Sequence, residues 1–104
     1  MDDVLKDLAQ VIEARRNAPV AESYVASLCA GGIDAILKKV GEEAIEVVIA
    51  GKDGDRGALV HEVADLWFHC LVLLAVRDSH PEAITDELAR RFGVSGHEEK
   101  AGRG

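Results

Sequence analysis

The chain has 104 residues, of which 48% are hydrophobic and 30% are charged, and its formal net charge is −7. This length and composition predict one small globular domain, long enough to bury a core and too short for two domains. Because the isoelectric point is near 5.0, no broad basic face offsets phosphate repulsion. This acidic balance argues against a nucleic-acid partner and requires any phosphate ligand to bind together with a metal ion.

The first 30 residues predict two helices. The first is expected over residues 2–16 and ends before Pro19, and the short second one follows Ser23, a suitable N-cap, and stops at Gly31 and Gly32. The first helix carries apolar residues at helical spacing: Val4, Leu5, Leu8, Val11 and Ile12. Since acids interrupt the first ten residues, nothing there resembles a signal peptide, and a cytoplasmic location is expected.

The third predicted helix, residues 33–50, has an acidic edge. Each residue advances about 100° around a helix axis, so Glu42, Glu43 and Glu46 fall within about 100° of one another. Apolar residues occupy the neighbouring stripe: Ile33, Ile36, Leu37, Val40, Ala44, Val47 and Val48. Taken alone, such an edge is typical of a solvated surface on which Lys39 pairs with Glu43; alternatively, Lys39 contacts a phosphate.

The fourth predicted helix, residues 56–77, is about 33 Å long and places Glu62, Asp65 and His69 on one face. Nearly all of its other residues are apolar: Leu59, Val60, Val63, Ala64, Leu66, Trp67, Phe68, Cys70, Leu71, Val72, Leu73, Leu74, Ala75 and Val76. This composition predicts a central, buried helix, in which an unpaired carboxylate takes up a proton or finds a cation. The acids of both helices are therefore interpreted together as a divalent metal site.

The type of metal follows from the ligands. Oxygen ligands without clustered Cys or His favour Mg²⁺, with Mn²⁺ also possible, over zinc or copper. Mg²⁺ typically shares carboxylates with substrate phosphates and acidifies a water, so the site predicts hydrolysis of a phosphoanhydride in a small-molecule substrate. Glu42, at the edge of the stripe, is the candidate general base. His69 is either a hydrogen-bond partner of the Asp65 carboxylate or a satisfied core histidine.

The last part of the chain predicts a fifth helix over residues 81–92, with Pro81 in its first turn. The division expected from composition is a helical domain over residues 1–92 and a flexible tail of the same domain over 93–104, which has four glycines and no helical period. The basic tail residues Lys100 and Arg103 suit either a solubilising tail or a segment that clamps phosphate.

Three further expectations concern surroundings and partners. A fourth helix that is apolar on nearly every side needs more covering than one small domain supplies, which predicts a homodimer that completes a four-helix core. The apolar run over residues 66–76 is too short to cross a membrane, so no membrane partner is expected. Cys29 and Cys70 lack C-x-x-C spacing and are interpreted as reduced core thiols.

Two motifs carry a resemblance to a known superfamily. E-E-x-x-E at 42–46 and E-x-x-D at 62–65 resemble the all-α nucleoside triphosphate pyrophosphohydrolases, the MazG-like group. A narrower resemblance, to the phosphoribosyl-ATP pyrophosphohydrolase family, covers nearly the whole chain. It is carried by S-Y-V-A at 23–26, K-K-V-G-E-E-A-I-E at 38–46, K-D-G-D-R at 52–56 and R-R-F-G-V-S-G-H-E-E-K-A at 90–101.

The resemblance implies an Mg²⁺-dependent, cytoplasmic, helical homodimer that cleaves phosphoribosyl-ATP between its α and β phosphates, the second step of histidine biosynthesis. It also implies that Lys100 and Arg103 contact substrate phosphates. The implied metal ligands are Glu43, Glu46, Glu62 and Asp65. Two other hypotheses stand beside it: a house-cleaning nucleotide pyrophosphohydrolase of the same superfamily, and a non-catalytic helical dimerisation module.

Overall fold

The structure is a computed structural model and describes residues 3–93. Within this range the chain forms five α-helices and one 3₁₀ turn, without a strand, which confirms the predicted all-α fold. The elements in chain order are α1 Val4–Arg15, the 3₁₀ turn Val20–Glu22, α2 Tyr24–Ala30, α3 Ile33–Asp53, α4 Arg56–Val76 and α5 Pro81–Gly93. Since residues 94–104 lie outside the described range, the division into domain and tail stays a prediction.

The two longest helices, α3 and α4, form a hairpin. Each has 21 residues, and their mutual contact is the most extensive between any two described elements. Only Gly54 and Asp55 connect them, so the helices run antiparallel over about 31 Å. Gly54 has φ +82° and its N–H donates to the Ala50 carbonyl, while the Asp55 carboxylate accepts from the Ala58 N–H at 3.1 Å. The glycine ends α3 and the aspartate caps α4.

The end of α3 lies three residues beyond the predicted end at Ala50. Gly51 follows the predicted end directly and does not stop the helix, because a glycine inside a helix costs only about 1 kcal/mol relative to alanine. Packing of α3 along α4 outweighs this cost. The stop comes at Gly54, where the backbone requires a positive φ. The Ser23 cap is as predicted, because its hydroxyl accepts from the Ala26 N–H at 3.1 Å.

The buried core lies at the end of the hairpin that is remote from the connecting turn. There α1 and α2 pack against the beginning of α3 and the second half of α4. The buried core side chains are Ile12, Val25, Leu28, Ile36, Leu71 and Val72. Packing therefore anchors one end of the α3–α4 hairpin and leaves its other end open.

The degree of burial of α4 corrects the prediction of a helix that is buried along its whole length. Its buried residues begin only at His69, and Val60, in the first half, is 69% exposed. The physical reason is length. With 12 and 7 residues, α1 and α2 are too short to cover a 21-residue hairpin on all sides.

The length of α4 also bears on the membrane prediction. The apolar run that begins at Leu66 is too short for a bilayer, but the helix to which it belongs has the length and apolar composition of a membrane span. A core helix of a soluble bundle meets the same two criteria. The length and composition of α4 therefore fit both a bilayer and the core of a soluble bundle.

The two cysteines are free thiols, as expected. Burial raises the pKa of Cys29, an effect that Arg16 opposes and Glu13 reinforces. Burial likewise raises the pKa of Cys70. Because the thiolate is the reactive form, both thiols are weak nucleophiles at neutral pH.

Candidate functional site

The four acids predicted to hold a metal lie at matching levels of the α3–α4 hairpin. Glu46 is eight residues before Gly54, and Glu62 is seven residues after Asp55. At 1.5 Å per residue, the two acids lie within about 2 Å of the same level. Glu43 and Asp65, three residues further from the turn on each helix, form a second matched pair. We call these four residues the acid band.

The glutamates of α3 differ in exposure. The Glu43 side chain is only 13% exposed, whereas Glu46 is exposed and Glu42 is about half exposed. A carboxylate that has lost most of its water is stabilised more by a nearby cation than an open one. Glu43 is therefore the α3 acid that depends most on a positive partner.

Lys39 is the cation that the α3 acids contact. Its Nζ lies 3.4 Å from Glu43 Oε1 and 3.6 Å from Glu42 Oε1. Desolvation lowers the pKa of Lys39, but the attraction of Tyr24, Glu43 and Glu42 outweighs desolvation and raises the pKa above its ordinary value. Lys39 is therefore charged at neutral pH and forms the ion pair with Glu43 that the sequence left open.

A metal-compatible cluster lies on the α4 side. His61, Glu62 and Asp65 each offer a ligand atom, and these atoms lie within 4.8 Å of one another. Two carboxylates beside one imidazole fit a divalent cation, because the oxygens suit Mg²⁺ and Mn²⁺ and the nitrogen suits Mn²⁺ and later transition metals. His61 was missed in the sequence. The available signal was its spacing four residues before Asp65, whose Oδ2 lies 3.4 Å from His61 Nε2.

The α4 acids are more exposed to solvent than expected for carboxylates on a buried helix. The Asp65 side chain is 42% exposed, and Glu62 is only partly buried. Desolvation within one chain therefore does not force either carboxylate to bind a cation. The argument for a metal rests instead on the convergence of the His61, Glu62 and Asp65 ligand atoms. Among the described residues, Glu43 and Glu46 are not part of this cluster.

His69 contacts Asp65 through the main chain. The His69 Nδ1–H donates to the Asp65 carbonyl oxygen at 2.7 Å, so Nε2 is left as an acceptor and receives the Tyr24 hydroxyl at 2.8 Å. The predicted hydrogen bond to the Asp65 carboxylate is absent from these contacts. At 5% exposure, His69 is the satisfied core histidine that was the alternative interpretation.

Tyr24 is a second residue near the site that the sequence did not predict. It is the first residue of α2 and reaches α4 through its hydrogen bond to His69. Its ring packs on Phe68 and against the edge of His69. A single tyrosine at the start of a short helix carries no pattern that predicts such a contact across 45 residues.

Glu42, Lys100 and Arg103 complete the predicted set. The half-exposed Glu42 carboxylate lies beside the acid band and is reached by solvent, as a general base for water must be. Lys100 and Arg103 lie outside the described residues. Their contact with substrate phosphates stays a prediction.

The fold is all-α and carries acids on two packed helices. A family model described as phosphoribosyl-ATP pyrophosphohydrolase matches residues 5–92. One similar relative is the phosphoribosyl-ATP pyrophosphatase of Methylococcus capsulatus, which is 57% identical over 101 residues, or 97% of this chain and 96% of the relative. The chain belongs to the phosphoribosyl-ATP pyrophosphohydrolase family and is a hydrolase. The resemblance seen in the sequence motifs is thereby confirmed.

Proposed function

We propose that this chain hydrolyses phosphoribosyl-ATP at the phosphoanhydride between its α and β phosphates. One water is consumed, one P–O bond breaks, and the products are phosphoribosyl-AMP and pyrophosphate, as in the second step of histidine biosynthesis. Family membership and the name of the relative support this substrate. The observation that supports the proposal is the cluster of His61, Glu62 and Asp65, whose ligand atoms lie within 4.8 Å of one another.

Mg²⁺, with Mn²⁺ as a substitute, is the proposed cofactor. When bound, such an ion neutralises phosphate charge and lowers the pKa of a water. The chain's own contribution is a set of hard oxygen ligands on two antiparallel helices. The residues proposed to hold the ion are Glu43, Glu46, Glu62 and Asp65.

The remaining roles fall to residues beside the acid band. Glu42 accepts a proton from the attacking water, because its carboxylate is open to solvent at the edge of the band. Lys39 moves from Glu43 to a substrate phosphate oxygen, since its flexible stem and three donors allow the exchange. Lys100 and Arg103 bind further phosphate oxygens.

A product assay tests this proposal. The chain is incubated with Mg²⁺ and either phosphoribosyl-ATP or a panel of canonical and modified nucleoside triphosphates, and pyrophosphate release is measured. We expect phosphoribosyl-ATP to have the highest kcat/KM. Preference for the panel would replace the proposal with a house-cleaning pyrophosphohydrolase, and turnover of neither would favour the non-catalytic dimerisation module.

We further propose that the active form is a cytoplasmic homodimer without a nucleic-acid or membrane partner. Exposed apolar side chains lie on both helices of the hairpin: Ile45, Val48, Ile49, Val60 and Trp67. Packing of two hairpins against each other would form a four-helix core and remove these side chains from water. The same packing would cover α4, whose composition otherwise suits a bilayer.

A further inference from the structure

Tyr24 is held in place at both its ends. Its backbone follows the Ser23 cap, whose hydroxyl binds the first turn of α2, and its own hydroxyl is fixed on His69 Nε2 at 2.8 Å. His69 is in turn fixed by its bond to the Asp65 carbonyl. These contacts hold the tyrosine ring in place, so the entropy lost when a ligand contacts the ring is small.

The ring is nevertheless open. Tyr24 is 52% exposed, although Phe68 stacks on it with ring centroids 6.1 Å apart and planes 23° apart. The His69 ring meets it nearly at right angles, with centroids 5.7 Å apart. With both contacts made, about half of the tyrosine surface still faces solvent.

Tyr24 begins α2, which packs against both helices that carry the acid band. On the α4 side it is linked through His69 to the backbone of Asp65. On the α3 side, the helix that begins with Tyr24 packs against α3, the helix that carries Lys39.

The hydrogen bonds decide which part of Tyr24 a ligand can use. Because His69 donates a hydrogen bond through Nδ1, its Nε2 accepts one. The Tyr24 hydroxyl donates its single proton to this Nε2. The hydroxyl therefore has no proton left to offer a phosphate oxygen. The solvent-exposed part of the ring remains, and an aromatic ring binds another flat ring by stacking.

We propose that Tyr24 is a specificity-determining residue whose ring stacks against the purine base of the substrate. This inference rests on the proposed function, in which the substrate is an adenine nucleotide. With the base on Tyr24, the phosphates extend past Lys39 toward the acid band. Tyr24 selects a nucleotide over a phosphate ester without a base, and it takes no part in bond cleavage.

Equilibrium binding with and without a base tests the inference. Titration calorimetry with Mg²⁺ compares AMP with ribose 5-phosphate, which has no base, on the wild type, Tyr24→Phe and Tyr24→Leu. Loss of stacking should weaken AMP binding to Tyr24→Leu by roughly tenfold and leave ribose 5-phosphate within about twofold. Tyr24→Phe keeps the ring and should bind AMP nearly as the wild type does. The proposal would be overturned if Tyr24→Leu weakened the binding of AMP and of ribose 5-phosphate equally. It would also be overturned if Tyr24→Phe and Tyr24→Leu lost AMP affinity to the same extent.

A measurement on the unaltered protein covers the case in which Tyr24→Leu does not fold. Tyr24 is the only tyrosine of the chain, so its ring protons can be followed by NMR during titration. Stacking predicts an upfield shift with AMP and none with ribose 5-phosphate; no shift with AMP refutes the inference. Because neither ligand is a substrate, the product assay can fail while this stacking surface is upheld, and the reverse also holds.

Discussion

Asp65 contacts two histidines through different atoms. Its carboxylate lies 3.4 Å from His61 Nε2, and its main-chain carbonyl accepts from His69 Nδ1. Since the second contact does not involve the side chain, Asp65→Asn removes a candidate metal ligand and leaves the link to His69 intact. The substitution therefore tests chemistry with little effect on the fold.

Substitution of the α4 acids should remove activity and retain structure. We expect Glu62→Gln and Asp65→Asn to lower kcat/KM of metal-dependent cleavage by about 100-fold or more, equivalent to about 2.7 kcal/mol of transition-state stabilisation. Circular dichroism should remain helical. Without metal, Glu62→Gln should melt at or above the wild type, because one repelling charge is gone.

The control for these variants is Asp86→Asn, which neutralises an exposed carboxylate of α5. It should keep full activity and its dependence on Mg²⁺. Full activity in both Glu62→Gln and Asp65→Asn would contradict the proposed metal site.

At the scale of elements, α4 depends on the cap at its first turn. Asp55→Ala removes the acceptor for the Ala58 N–H and should lower the free energy of unfolding by about 1 kcal/mol. For a domain of this size the melting temperature should fall by about 4–8 °C. Asp55→Asn keeps an acceptor oxygen and should stay near the wild type. Equal stability of the alanine variant would show that packing on α3 alone sets the start of α4.

Helix α5 has a pH-dependent ion pair in its last turns. Hydrogen bonds from Arg90 and Arg91 lower the pKa of Glu87 from 4.5 to about 2. A lowered pKa means that this carboxylate stabilises the fold above about pH 4.5 and loses its contribution as the pH falls toward 2.

Glu87→Gln should therefore lower the melting temperature by a few degrees at most at pH 7, because the group is exposed and screened by solvent. The gap between variant and wild type should close as the pH is lowered from about 4.5 to about 2, and added salt should narrow it at pH 7. Asp86→Asn removes a neighbouring exposed carboxylate and should show no such closing gap. A gap independent of pH would exclude the ion pair as its cause.

At the scale of the whole molecule, large apolar side chains on both helices of the hairpin are exposed in one chain, among them Ile49 and Val60, which predicts a homodimer. Light scattering should give about 22 kDa, twice the chain mass of 11.1 kDa. Val60→Asp places a charge on the open part of α4 and should give a monomer. Val20→Asp, at a comparably open site on the 3₁₀ turn, should remain dimeric.

Trp67, the only tryptophan, provides a second measure of assembly. It is 55% exposed in one chain, and burial in a dimer should shift its fluorescence emission to shorter wavelength. Dilution below the dissociation constant should reverse the shift. A monomeric mass with unchanged emission on dilution would refute the homodimer.

The sequence by itself determined the features that depend on neighbours along the chain. Ser23 caps α2 because an oxygen near its own backbone needs no distant partner. The spacing of three residues that places Glu62 and Asp65 on one face is likewise a property of a single helix. The family motifs are likewise short stretches of consecutive residues. The sequence alone therefore predicted the hydrolase family.

Only the tertiary structure decided what depends on distant parts of the chain. Gly51 stays helical because α4 packs alongside it, and the first half of α4 stays open because α1 and α2 are too short to reach it. Tyr24 meets His69 across 45 residues, a contact that no periodicity encodes. Helical spacing thus predicted which acids share a face of one helix. Packing decided how exposed these acids are and which aromatic ring lies beside them, because the burial of a side chain depends on several elements and not on its own helix alone.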